Sequence, residues 1–571
     1  MAHPPPPPAP TITSGLTESD FLLEAYTPPD PPLPATVRAS LSALPSPSSP
    51  SYLRPLGPAR THAHLLQAVL PALNGQARSP RYLGFVTGGV LPIAEAADNL
   101  VSAADQNVQV HFPLPAPAAV PGCLAEGDGG DGDGDHGSEE GVGVGASKEE
   151  VKGGERESAG GSGGGEAEWT HSASTAVEDA ALRMLIALLE LDGPGPRGET
   201  GRGSWGGRTF TTGATASNLL GLACGREAVV ARWAAANGAG AVAVAELGLL
   251  AACRAAGVAE IRVLTSMAHS SLLKAASVVG LGHESVKEVG VSAEEPWRLD
   301  LDAVERELAS GEADGVVSII VVSAGEVNTG RFATNVLDMP KLRSLADRYG
   351  AWIHVDGAFG LFARALPKTD EFLALHAHAA GLELADSIAA DGHKLLNVPY
   401  DNGIFFCRDA AVLTQVCSNP NAAYLASSGD PDATLSPLNI GIENSRRFRA
   451  LPVYAVLLSE GRDGIAAMLS RMVLLAREIA AYVRDSEHYE WLPSQDASLE
   501  STYIIVLFRA KDAALNEVLV DRINATGKMF VSGTRWDGKK AVRIAVGSWR
   551  VDVERDAAVI KEVLTDIAEG R

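Results

Sequence analysis

Two segments of the 571-residue chain place an ionisable side chain directly after a short apolar run. The first is Ile353-His354-Val355-Asp356-Gly357-Ala358. An apolar run that ends in Asp reads as a strand carrying a carboxylate at its C-terminal end, where ligands bind in open α/β sheets. The small residues after it leave room for a flat ring against the backbone. A carboxylate there can pair with a heterocyclic nitrogen; the bland alternative is an Asp that caps the following turn. The second segment is Asp386-Ser387-Ile388-Ala389-Ala390-Asp391-Gly392-His393-Lys394-Leu395, with its lysine 38 residues after Asp356. A deprotonated lysine amine attacks an aldehyde and forms a Schiff base. A lone lysine is ordinarily a solvated charge, but Asp-Gly-His-Lys between apolar runs is an unusual surface. A lysine for the aldehyde and an acid for the ring nitrogen are together what pyridoxal 5′-phosphate (PLP) chemistry requires.

Two weaker segments suit the same chemistry. Thr211-Thr212-Gly213-Ala214-Thr215-Ala216-Ser217-Asn218 leads into the apolar run Leu219-Leu220-Gly221-Leu222. Backbone N–H groups at a helix start, with hydroxyls beside them, make an anion site suited to a phosphate. An ordinary N-cap turn is the competing reading. His269, in Ala268-His269-Ser270-Ser271, stands after a strand candidate, where an imidazole can stack on a flat ring. A lone histidine is more often a satisfied structural residue.

These residues need elements to hold them. Strand candidates at Ile261–Leu264, Val316–Ser323, Ala351–Val355, Ser387–Ala389 and Ile404–Cys407 alternate with helical ones. The helical stretches are Thr175–Leu191, Thr215–Gly225, Glu227–Ala235, Met267–Val279, Asp302–Leu308 and Leu337–Tyr349. The alternation predicts an α/β fold with a mostly parallel central sheet and helices on both faces. From Ala411 the pattern shifts to long helices, then to a smaller α+β region with strands at Tyr503–Phe508 and Val542–Val546 and a last helix Val553–Ala568.

Five regions follow from this pattern. Residues 1–16 are a Pro-rich tail expected to be disordered. Residues 17–118 mix loops with helical stretches such as His62–Leu73. Residues 119–167 are a Gly-rich acidic insertion with too little apolar surface to fold. Residues 168–410 form a large cofactor-binding domain, and 411–571 a small C-terminal one.

The bulk numbers exclude several classes. A formal net charge of −23 argues against nucleic acid and anionic lipid as partners. Glu126 to Glu168 alone holds 13 acidic and three basic residues, so part of that charge belongs to the insertion. The five cysteines are odd in number and contain no C-x-x-C pair, which predicts reduced thiols, no zinc site and no disulfide framework. The start MAHPPPPPAP lacks the basic and apolar regions of a signal peptide. Glu246 and Arg254 break the Ala-rich stretch from Ala241 to Ala256, which reads as a helix of a soluble protein. The expected location is the cytoplasm.

The motifs together resemble the group II pyridoxal-dependent decarboxylases, the family of aromatic-amino-acid, glutamate and tyrosine decarboxylases. The resemblance runs from about Ser79 to Ile567 apart from the insertion. It is carried by Asp386 to Arg408 (DSIAADGHKLLNVPYDNGIFFCR), His354-Val355-Asp356, Ser445-Arg446-Arg447-Phe448-Arg449-Ala450-Leu451 and Val531-Ser532-Gly533-Thr534-Arg535-Trp536. It implies the type I, aspartate aminotransferase-like PLP fold, PLP as cofactor, no metal, and a homodimer. It implies a lyase that decarboxylates an L-amino acid, aromatic ahead of acidic. By the same resemblance Lys394 is the Schiff-base lysine and Asp356 the partner of the pyridine nitrogen. Ala358 and His269 pack on the two ring faces, with His269 counted as catalytic. Ala214, Thr215 and His393 fall near the phosphate, and Asn328 among the cofactor contacts. Phe85, Thr87 and Arg543 fall in the substrate pocket, Arg543 where some members bind a carboxylate.

Three departures qualify the resemblance. Relatives carry a tyrosine on a mobile loop that protonates the substrate carbon, yet Ser427 to Glu443 holds no aromatic residue and Tyr424 lies just before it. Glu326 stands where relatives have threonine, either altering the charge near the cofactor or pointing to solvent. Gly547-Ser548-Trp549 lacks a common Asn. The first departure keeps other PLP reactions open, aldehyde-forming oxidative decarboxylation or a carbon–carbon lyase; a PLP-fold binding protein that has lost catalysis is the non-enzyme alternative.

Overall fold

Apolar and amphipathic runs alternate along the chain, and the apolar runs pair into two sheets. The computed structural model describes residues 34–44, 55–73, 79–108, 172–192, 204–419, 435–494 and 497–571. The Pro-rich tail, the insertion 119–167, Cys123, Tyr424 and residues 427–434 lie outside the described residues. In chain order the strands are β1 (Tyr82–Leu83), β2 (Gly207–Thr211), β3 (Glu260–Thr265), β4 (Val286–Glu288), β5 (Val316–Ser323), β6 (Trp352–Asp356), β7 (Ser387–Asp391), β8 (Gly403–Cys407), β9 (Tyr489–Leu492), β10 (Ile505–Ala510), β11 (Phe530–Trp536) and β12 (Lys539–Ala545).

The larger sheet has seven strands in the order β2-β8-β7-β6-β5-β3-β4. Its neighbours from β7 through β4 are parallel, and β8 runs against both β7 and β2. The mostly parallel sheet expected from the sequence is therefore what forms. Strand β5 is buried along nearly its whole length. That is why it reads as a continuous apolar run rather than an alternating one. Side chains on the two sheet faces enter different cores. Ile320, Val322, Ile353, Val355 and Phe406 pack with residues of the helices Ser174–Leu188 and Ala450–Asp485. Val317, Ile319, Val321, Trp352 and Phe405 pack with the helix Ala214–Ala236. Each such buried aliphatic or aromatic side chain contributes about 1.5–3 kcal/mol.

The helix Ala214–Ala236 joins the two predicted stretches into one. It lies close on the sheet because Gly221 and Gly225 face it. A Cβ on Gly221 would come within 2.3 Å of His354 Cε1, and one on Gly225 within 3.0 Å of Ile319 Cδ1. The helix expected over Met267–Val279 begins only at Ser270, because His269 caps it by accepting the Ser271 N–H. The run Ala241–Ala256 breaks into Val244–Leu247 and Leu249–Ala256 at Gly248, which takes φ 77°.

The smaller sheet has the order β1-β11-β12-β10-β9. Strand β1 comes from the N-terminal region and runs parallel to β11, pairing Tyr82 with Phe530. A seam beyond it joins three distant segments. Asn397 donates from Nδ2 to Gly547 O at 3.1 Å and accepts the Trp549 N–H at 2.9 Å. Its carbonyl accepts the Leu91 N–H at 2.8 Å. The Ser445–Arg449 motif makes similar ties. Arg446 pairs with Glu178, Arg447 with Asp98 at 2.7 Å, and Arg449 with Asp401 at 3.0 Å. Among the described residues no helix is long and apolar enough to cross a membrane.

Candidate active site

Parallel strands β6 and β7 end side by side at the same edge of the sheet, β6 with Asp356 and β7 with Asp391. A cavity of about 780 Å³ opens at this edge. It is lined by Lys394, Asp356, Ala358, His269, Ala214, Thr215, His393, Asn328, Phe85 and Arg543. Residues separated by hundreds of positions thus meet at one place. Thr87 does not join them. Its N–H bonds the Phe85 carbonyl at 2.9 Å, and its backbone lies against Gly547. A larger cleft of about 1040 Å³ lies at the opposite ends of the strands, among Arg232, Arg254, Glu312 and Arg348. It holds neither a lysine nor the strand-end carboxylates.

Lys394 stands on the short helix Gly392–Leu395 that follows β7. Its Nζ is 2.8 Å from Asp391 Oδ2 and 5.8 Å from the centre of the Phe359 ring. The second oxygen of Asp391 accepts the Ala214 N–H at 2.6 Å. Asp391 is buried and was not singled out from the sequence. Its signal was its place, an Asp closing a strand as Asp356 does. Asp356 accepts from Asn218 Nδ2 at 2.8 Å and from the Ala358 N–H at 3.3 Å. It therefore caps its turn and faces the cavity at once, so the two readings of the sequence were not exclusive.

His269 Nδ1 accepts the Ser271 N–H at 3.2 Å and lies 2.6 Å from Ser271 Oγ. His393 Nδ1 accepts the Asn402 N–H at 3.2 Å, and its ring lies 4.5 Å from that of Tyr400. Burial pushes the His393 imidazole below its ordinary pKa, against the opposing pull of Asp391. Arg543 donates from Nε to Val327 O and from Nη1 to Gly84 O at 3.0 Å. Burial lowers its pKa to about 10, with the Glu326 charge pulling the other way, so it stays cationic at neutral pH.

Glu326 does not point to solvent. It is buried, and its carboxylate accepts the Asn328 and Thr329 N–H groups at 2.9 and 2.7 Å. It also accepts Asn328 Nδ2 at 3.2 Å and the Thr329 hydroxyl at 2.9 Å. Glu326 therefore closes its own turn on the cavity wall. Asn328 Oδ1 takes the Thr534 hydroxyl at 2.8 Å, tying the two sheets together at the site. Residues 435–443 of the loop before Ser445 carry no aromatic side chain, while Tyr400 lines the cavity.

The arrangement fits a flat phosphorylated aldehyde. An amine and a carboxylate share one cavity whose volume lies in the range of small-molecule sites. The N-terminus of a 23-residue helix borders the same cavity, and Gly213 gives it no side-chain cap. The model of the pyridoxal-dependent decarboxylase conserved domain matches residues 168–511. The chain belongs to this family. The chain is 29% identical over 384 residues to L-2,4-diaminobutyrate decarboxylase of Acinetobacter baumannii, covering 65% of this chain and 70% of that one. It is 24% identical over 293 residues to phenylacetaldehyde synthase of Arabidopsis thaliana, covering 49% and 56%. The solved structure of Oryza sativa TDC with PLP and tryptamine superposes at a TM-score of 0.66 with 21% identity, covering 95% of this chain and 93% of that one. That likeness shows the fold, which is the type I PLP fold. As a member of this family the chain is a PLP-dependent carboxy-lyase.

Proposed function

We propose that the decarboxylase converts an L-amino acid, aromatic ahead of acidic, to its amine and CO2. In this reading Lys394 holds the cofactor through its ε-amine and Asp356 faces the ring nitrogen. The observation that carries it is that these two side chains line one cavity. Bound there, PLP supplies an electron-accepting ring for the carbon that loses CO2. The Asp356 carboxylate holds a proton on the ring nitrogen by charge pairing. Ala358 and His269 flank the ring. The Ala214 N–H is engaged by Asp391, so Thr212 and Thr215 supply the donors for the phosphate. Arg543 attracts a carboxylate, though two of its N–H groups already serve backbone carbonyls. Val86, Met267 and Phe359 exclude water. Phe85 lines the cavity yet is 61% exposed, which supports a homodimer in which a second subunit covers it.

A second reading is aldehyde formation. The phenylacetaldehyde synthase relative and the absence of an aromatic side chain from residues 435–443 support it. That reaction consumes one O2 and one water per amino acid and releases aldehyde, CO2, ammonia and hydrogen peroxide. Incubating the PLP-loaded protein with aromatic, acidic and basic amino acids separates the outcomes. Amine equal to CO2 without peroxide supports the first reading. Aldehyde equal to peroxide supports the second, and no CO2 from any amino acid overturns both.

A further inference from the structure

Behind the cavity wall lies a chain of buried polar groups that the reaction scheme does not use. Trp352, His354, Asn218 and Ser387 are all 1% exposed or less. Trp352, His354 and Asp356 alternate along β6 and so share one face, toward the helix that carries Asn218. Trp352 Nε1 donates to Ser387 Oγ at 2.9 Å, and Ser387 Oγ lies 2.8 Å from His354 Nδ1. His354 Nε2 lies 2.9 Å from Asn218 Oδ1, and Asn218 Nδ2 reaches Asp356 at 2.8 Å and Ser271 Oγ at 3.2 Å.

The direction of each bond follows from the two ends. An indole N–H only donates, and a carboxylate only accepts. Asn218 must therefore turn its NH2 toward Asp356 and its oxygen toward His354. His354 must then carry its hydrogen on Nε2. Burial keeps this imidazole neutral, although the Asp356 charge and the Ser387 backbone favour protonation. Its Nδ1 is thus an acceptor, filled by the Ser387 hydroxyl. The second hydrogen of the Asn218 amide goes to Ser271 Oγ, whose hydroxyl is then turned toward His269 Nδ1. The space for this chain is built in: a Cβ on Gly221 would come within 2.3, 2.4 and 2.7 Å of three atoms of the His354 ring.

We infer that His354 is a positioning residue that locks the Asn218 amide, and that Asn218 in turn aims both Asp356 and His269 at the cofactor. Neither His354 nor Asn218 lines the cavity, so each acts through another residue. The N–H donated to Asp356 fixes the orientation of its carboxylate. The inference rests on the proposed role of Asp356.

The direction of the chain is tested without the cofactor. In the full chain labelled with ¹⁵N-histidine, the His354 signal, identified by its loss in His354→Phe, is expected as the neutral Nε2–H form from pH 8 to 6. An Nδ1–H form or a cation in that range overturns the inference, whether or not PLP binds. The role is tested by equilibrium dialysis of PLP. His354→Phe is expected to weaken PLP binding about tenfold or more. His354→Gln, whose amide can donate to Asn218, is expected to recover most of that loss. Ser387→Ala, at the far end of the chain, is expected to weaken binding by about threefold, and it serves if His354→Phe does not fold. Variants that bind PLP as tightly as the wild type overturn the inference. A wild-type chain that takes up no PLP overturns the proposed function instead, and the histidine signal still decides the direction of the chain.

Discussion

The Arg446 guanidinium and the Glu178 carboxylate form a two-pronged ion pair in which both side chains are almost wholly buried. The pair joins the Ser445–Arg449 motif to the helix Ser174–Leu188, far from it in sequence. From there a path leads to the site: Asn402 donates to Arg449 O at 2.8 Å and to His393 Nδ1 at 3.2 Å. Taking one partner away leaves a charge stranded in the interior. Glu178→Ala is therefore expected to lower stability by about 3–5 kcal/mol, read as a fall in the urea midpoint. The double variant Glu178→Leu with Arg446→Met removes both charges and is expected to lose much less. Equal losses in the two proteins would show that packing, not charge, sets the cost.

In the proposed reading Lys394 and Asp356 make separable demands on the cofactor. Lys394→Ala is expected to abolish the visible absorbance of covalently held PLP while leaving weak, dialysable binding. Asp356→Asn keeps the size of the side chain and removes the charge proposed to hold a proton on the ring nitrogen. A charge pair of this kind is worth about 1–3 pKa units, so decarboxylation is expected to fall by about two orders of magnitude. Retained absorbance in Lys394→Ala would remove the lysine from its assigned role.

Much of this was legible in the sequence, and the reasons are local. Strand β5 falls on its predicted bounds because a strand buried on both faces is apolar throughout. The last helix falls on Val553–Ala568 because its apolar stripe is regular and Asp552 caps it, accepting the Arg555 N–H. Asp356 and Lys394 stand out in the sequence as strand-end polar residues against apolar runs, and both line the cavity. Strand β1 was not found, because two residues carry no period and its pairing partner Phe530 is remote. Strand β11 buries only Val531 fully and leaves its other residues exposed or partly buried, which hides its period. Asn218 looked like a helix residue after a phosphate turn; its tie to Asp356 exists only once helix and strand are packed. His354 was part of a recognised motif, but nothing in its spacing reveals the ring in the space that Gly221 leaves.

Gly88 tests whether the N-terminal region is structurally joined to the site. A Cβ there would come within 1.9 Å of Gly547 O and 2.2 Å of Asn397 Oδ1. Both contacts are to atoms held by hydrogen bonds, so neither can yield cheaply. Overpacking of this kind usually costs about 1–3 kcal/mol, and backbone contacts this close put Gly88→Ala at or above the upper end. Thermal unfolding is expected several degrees lower. Because Asn397 Nδ2 also donates to Lys394 O at 3.1 Å, PLP affinity is expected to fall with it. A variant with lowered stability and unchanged PLP affinity would separate the seam from the site.

Acid should destabilise the fold through its buried histidines. Burial is the leading cause that lowers the pKa of His354, His378 and His393. Each is therefore neutral in the folded chain at pH values where it takes up a proton when unfolded. The unfolded state then binds more protons, so stability falls as pH drops below about 6.5, the ordinary histidine value. The loss continues until the folded-state pKa is reached. Each histidine contributes a slope of at most about 1.4 kcal/mol per pH unit in that window. The urea midpoint is expected to fall steadily from pH 7 to pH 5, and His354→Gln, which removes one titrating ring, to flatten that fall. A midpoint that holds level or rises over the same range would mean that these imidazoles are charged in the folded protein. The hydrogen-bond chain that requires a neutral His354 would then lose its footing.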